Sequence, residues 1–164
     1  MNIDYFRRMF AYNDWAHRKV WACARALTDE QYYRPCDYSV GSVHDQLVHT
    51  YGAERLWLGR VREEANPVFP SSQDYPNPAA LRPAWDELTT EWQAFVAGLN
   101  DADLSRDITY TSINGNARRV TPIWQALAQI LNHGTDHRAQ TLSLIHQVGG
   151  ETVAQDFIFY NWEQ

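Results

Sequence analysis

Residues 121–150 read TPIWQALAQILNHGTDHRAQTLSLIHQVGG. Thr121 suits an N-cap, Pro122 suits the first helical position, and Gly149-Gly150 supplies a stop, so the stretch predicts one helix running to about Val148. Stepping by seven gives Ile123, Ile130, His137 and Leu144, and His133 lies four residues before His137. At that spacing two imidazoles share a face, about 40° and 6 Å apart. The pair is in line with the apolar stripe, on the side that faces a core. Burying two imidazoles together is costly unless their nitrogens are satisfied. A divalent cation does this, because neutral imidazole is a good ligand for borderline metals. Two packed histidines with no metal is the plainer reading of the same spacing.

Three further long helices are expected around this one. The first covers about Asp4 to Leu27, with Phe6, Met9, Phe10, Trp15, Val20 and Leu27 at mixed three- and four-residue steps. Thr28 with Gln31 then reads as a capping box opening a short helical turn before Pro35. The second begins at Ser42, with Asp45 three residues on, and continues through LVHTYGAERLWLGRV. Residues 66–83 hold five of the seven prolines and are expected to be irregular. The third starts at Pro83, its stripe formed by Trp85, Leu88, Trp92, Phe95 and Leu99. Residues 107–120 alternate around Asn114-Gly115, which suits a type I′ turn and predicts a β-hairpin. The fold expected is all-α, a four-helix bundle with a small β-hairpin between the third and fourth helices.

Composition narrows the function classes. The 164 residues fit one domain spanning residues 1–164. The formal charge of −6 argues against nucleic-acid binding and against adsorption to anionic membranes. No apolar run is long enough to cross a bilayer, and the N-terminal stretch lacks the apolar region of a secretory signal. Cys23 and Cys36 lie in no metal-type spacing and are expected to be reduced, which places the chain in the cytoplasm. Seven Trp, nine Tyr and six Phe point first to a thick core and second to a ligand cavity.

A third metal ligand should come from a facing helix, and the second helix offers His44 and His49. Periodicity does not decide between them. His44 fits as a packed residue beside Leu47, Val48 and Tyr51, whereas Gly52 and Ala53 beside His49 leave room for something to bind. Glu54 lies about 140° around the helix from His49 and is expected to face elsewhere, and Asp136 points away from His137. Both read as solvated residues or as supports for a ligand. Tyr51 and Gln140 are candidates for lining a cavity, against ordinary packing and surface roles.

The run VHTYGAERLWLGR (48–60) resembles the second-helix signature of the DinB family, the DinB/YfiT-like metalloenzymes, through His49, Ala53, Glu54, Trp57 and Leu58. NHGTDHRAQ (132–140) is similar to the family's H-x-x-x-H-R-x-Q segment. AYNDWAHRKV, with Asn13 and Trp15, resembles its first helix, and QDFIFYNWEQ its closing element. The resemblance spans essentially the whole chain. It implies a four-helix bundle, homodimerisation and a divalent metal site whose ligands here are His49, His133 and His137. It does not imply contact with DNA.

Three neutral histidines leave an open coordination position, which suits a catalytic or ligand-binding metal better than a structural one. The resemblance points to a thiol-dependent S-transferase, with hydrolysis as the other reaction such a site supports. The partners expected are a small-molecule substrate and a low-molecular-weight thiol. The alternatives are a non-catalytic metal- or small-ligand-binding protein of a stress response, and a scaffold whose histidines only pack. Gly134 stands where an H-E-x-x-H motif carries its glutamate, so the chain lies outside that protease class. The metal expected is zinc or nickel, with iron, manganese and copper as alternatives; imidazole ligands by themselves do not choose among them.

Overall fold

The computed structural model describes residues 2–113, 115 and 117–164. Its long helices are α1 (Ile3–Arg25), α3 (Val43–Val61), α4 (Pro78–Gly98) and α5 (Ile123–Gln147), with short helices α2 (Asp29–Tyr33) and α6 (Phe157–Trp162). Strands β1 (Asp107–Thr111) and β2 (Arg118–Pro122) form an antiparallel hairpin between α4 and α5. The expected all-α bundle with one hairpin is what the chain forms. No helix among the described residues is long and apolar enough to cross a membrane.

Local chemistry sets most of these boundaries. Asn2 caps α1 by accepting from the Tyr5 amide, the expected capping box of Thr28 with Gln31 opens α2, and the expected cap Ser42 forms a capping box with Asp45 on α3. Gly149, at φ +87°, takes the left-handed conformation that ends α5.

Two helix starts differ from expectation. α4 begins at Pro78, not Pro83: Asn77 caps it by accepting from the Ala80 amide, and Pro83 lies inside the helix. The added turn buries Leu81 completely, which offsets the one backbone hydrogen bond that Pro83 forgoes. α5 begins at Ile123, because Thr121 is paired with Ile108 in the hairpin and is not free to cap. The Ile123 amide instead donates to the Arg106 carbonyl at 2.9 Å. The type I′ turn expected at Asn114-Gly115 involves Asn114, which lies outside the described residues.

α5 packs on α1 and α3, and α4 closes the bundle against α1 and α3. Ile123, Leu127, Ile130, Leu144 and Ile145 of α5 are fully buried in one core cluster that also holds Phe6, Leu58 and Leu88. On α4 the buried stripe is Leu81, Trp85, Leu88, Trp92 and Val96; Phe95, expected in it, is half-buried. A second cluster joins Tyr12 and Trp15 of α1 to Tyr160 of α6, where Tyr12 Oη donates to the Gln155 carbonyl at 2.9 Å. Cys23 and Cys36 are free thiols.

Candidate metal centre

His49 on α3 faces His133 and His137 on α5. Ring centroids are 5.4 Å apart for His49–His133, 4.5 Å for His49–His137 and 4.1 Å for His133–His137. One nitrogen from each ring lies within 4.8 Å of one from each of the others, and all three residues are half-buried. The capping box at Ser42 starts α3 so that His49 meets the four-residue step of α5. His44, the other candidate on this helix, is turned elsewhere: its Nδ1 lies 3.4 Å from Tyr32 Oη, and its ring packs on Tyr32 and Tyr33.

The rings are kept neutral. Burial, then the neighbouring His137 and His49, push His133 down to about 4. Burial lowers His49, and burial with His49 lowers His137. His137 Nδ1 is hydrogen-bonded to the side-chain amide of Gln46. The contact is made by the Gln46 amide nitrogen, while its oxygen accepts from Ser39 Oγ at 3.0 Å, so Gln46 fixes the orientation of the His137 ring. His133 Nδ1 is buried with no hydrogen-bond partner among the described residues. A buried ring nitrogen of this kind is costly unless something outside the chain satisfies it. Three neutral imidazoles, one with an orphaned nitrogen, fit a divalent cation. They are positioned to bind one.

Beneath the rings lies a buried polar network. Glu54 faces α1, as its helical angle implies, but it is 3% exposed and not solvated. Its Oε1 lies 3.1 Å from both Asn13 Nδ2 and His17 Nε2. Arg138, 1% exposed, donates to Gln155 Oε1 at 2.6 Å and to Thr135 Oγ1 at 3.1 Å, and also to Asn13 Oδ1. Burial pushes the Glu54 carboxyl up, but His17, Asn13 and Arg138 together hold it below the usual carboxylate range. Burial also holds His17 below its ordinary value despite Glu54 beside it. The network therefore places the Glu54 carboxyl against His17 and Asn13, with the Arg138 guanidinium joined to it through Asn13.

Gly134 adjoins this network. A Cβ there would lie 2.7 Å from Asn13 Oδ1 and 3.0 Å from Arg138 Nη1, so glycine lets α1 and α5 close on each other. Asp136 is exposed. Tyr51 Oη is paired with Tyr75 Oη at 2.9 Å, and Gln140 accepts from Ser39 beside Gln46.

The sequence model of the DinB family matches residues 1–164. The chain belongs to the DinB family. Among its relatives is Protein DinB of Bacillus subtilis (strain 168), 18% identical over 162 residues that cover 96% of this chain and 94% of that protein. A crystal structure of a DinB-like protein from Bacillus cereus ATCC 10987 superposes with a TM-score of 0.65 at 21% identity, covering 93% of this chain and 97% of that one. At that identity the likeness shows a shared fold.

Proposed function

We propose that this DinB-family protein holds a divalent metal ion through His49, His133 and His137 and uses it in a thiol-dependent S-transfer, or a hydrolysis, on a small molecule. One observation carries the reading: three neutral imidazoles from two helices bring their nitrogens within 4.8 Å of one another. When bound, such an ion is a Lewis acid that activates a coordinated group. The chain's own part is to present three neutral rings, to orient His137 through Gln46, and to wall the site with Phe69, whose ring lies 5.5 Å from that of His49. No carboxylate stands with the three rings among the described residues, since Glu54 is committed to the network on α1 and Asp136 is exposed. A reaction here has no carboxylate general base beside the rings among the described residues. That favours a co-substrate carrying its own nucleophile, a low-molecular-weight thiol, over water.

Zinc or nickel is the metal proposed. The reading extends to a homodimer, for which exposed Ile158 and Trp162 of α6 offer an apolar patch; mass in solution checks it. Calorimetric titration with zinc tests the metal site itself. Wild type should bind one equivalent, and His49→Ala, His133→Ala and His137→Ala should each lose binding, whereas His44→Ala retains it. Equal binding by all five proteins would remove the site. Metal binding without turnover of any thiol and electrophile would leave a metal- or ligand-binding protein.

A further inference from the structure

The face of α3 that carries His49 continues through Ala53, Leu56 and Arg60 at steps of four, three and four, so the four side chains share one side of the helix. A cavity of about 340 Å³ lies over it, with His49 and His133 among its lining residues and Arg60 and Arg119 also in its wall. A second cavity of about 560 Å³ adjoins the first, sharing Leu56, Arg60, Phe69 and Tyr110. Together they make a groove between α3, the proline-rich connection and the hairpin.

Arg60 is held in this groove as a fixed plate. Its guanidinium carbon lies 4.6 Å from the ring centroid of Trp57 and 4.5 Å from that of Tyr110. Nη2 donates to the Thr111 carbonyl at 3.2 Å. The residue is 7% exposed, yet Nε has no partner and no carboxylate pairs with the guanidinium among the described residues. Arg119 stands directly across from Tyr110 in the hairpin register, on the same face of the sheet, and it too pairs with no acid there. Two carboxylates line the outer cavity, but Arg106 holds Glu63 at 3.0 Å and Arg55 holds Glu64 at 3.5 Å. A buried guanidinium lacking a counter-charge is costly, and a chain of charge −6 has acids to spare for it. A guanidinium fork matches the oxygens of a carboxylate or a phosphate.

The geometry points to an anion subsite: Arg60, assisted by Arg119, receives the carboxylate or phosphate end of an elongated small molecule whose other end reaches the three histidines. Placing the far end at the histidines rests on the metal-site reading above; the anion end stands on the groove alone. The eleven residues from His49 to Arg60 span about 16 Å of helix, too far for a compact anion to bridge. Between them Leu56, Phe69 and Ile113 favour an apolar middle.

Calorimetry on the metal-free protein with octanoate, octyl phosphate and octanol reads the subsite without the ion. At least one anion should bind about tenfold or more tighter than octanol, the weight of a charged hydrogen bond, and which anion does so names the head group. Arg60→Met should abolish that preference, and Arg119→Met, at an exposed position whose loss leaves the fold intact, should reduce it. Equal binding of all three probes by wild type, or a preference unchanged in both variants, overturns the inference. Cobalt titration of the same samples reads the histidines separately. Metal binding without anion preference refutes the subsite and spares the metal site; anion preference without metal binding does the opposite.

Discussion

Gln46 is fully buried, and its amide meets His137 Nδ1 and so holds the orientation of a ring that would ligate a cation. Groups that orient a ligating histidine from behind are worth tens-fold in metal affinity. Gln46→Leu should therefore weaken zinc binding about 10–100-fold while circular dichroism and thermal midpoint stay near wild type. Unchanged affinity would show that His137 needs no such orientation. The His133–His137 pair was legible from its spacing alone, because a four-residue step fixes relative direction. Its partner was not: His44 and His49 sit on one helix, and only the distance to α5 separates them. The network below was missed, although a signal existed. Arg138 lies seven residues from both Leu131 and Ile145, and His17 seven from Phe10 and Ala24, so charged or titratable residues occupied core positions. Periodicity reveals such a residue but not what neutralises it, since Glu54, Asn13 and Arg138 come from three different helices.

Between elements, the close passage of α1 over α5 depends on Gly134. Replacing it with alanine improves helix propensity by about 1 kcal/mol. The new methyl group, however, meets Asn13 and Arg138, both buried and hydrogen-bonded, and overpacking of this kind costs about 1–3 kcal/mol. Gly134→Ala should lower the urea midpoint without changing the slope. A raised midpoint would show that the two helices have slack there. Helix ends were readable where the cap is local, as at Thr28, Ser42 and Gly149. They were misplaced where a second element competes. The hairpin recruits Thr121 and shifts the start of α5, and burial of Leu81 draws α4 back past Pro83.

For the whole molecule, the buried histidines set the response to acid. His17 is held below its ordinary value of 6.5, and His133 is pushed down to about 4, burial being the first cause for both. Above 6.5 the folded and unfolded chains are equally deprotonated at these sites, and their contribution to stability is complete. As pH falls below 6.5 the unfolded chain takes up protons that the folded chain refuses, so stability is lost progressively down to the folded values. The thermal midpoint of the metal-free protein should fall across this window, and His17→Gln, which keeps a donor for Glu54, should flatten the fall. A midpoint flat between pH 6.5 and about 4 would contradict the burial of these rings. The order of elements has a separate consequence. Between His49 and His133 the chain makes the proline-rich connection, α4 and the hairpin, two of which wall the groove. A cation shared by those two residues would close all of this into a ring in the folded chain, and the entropic cost of closing such a loop hardly depends on its length. Insertions in the groove's walls could then reshape what enters it without loosening the clasp that holds it shut.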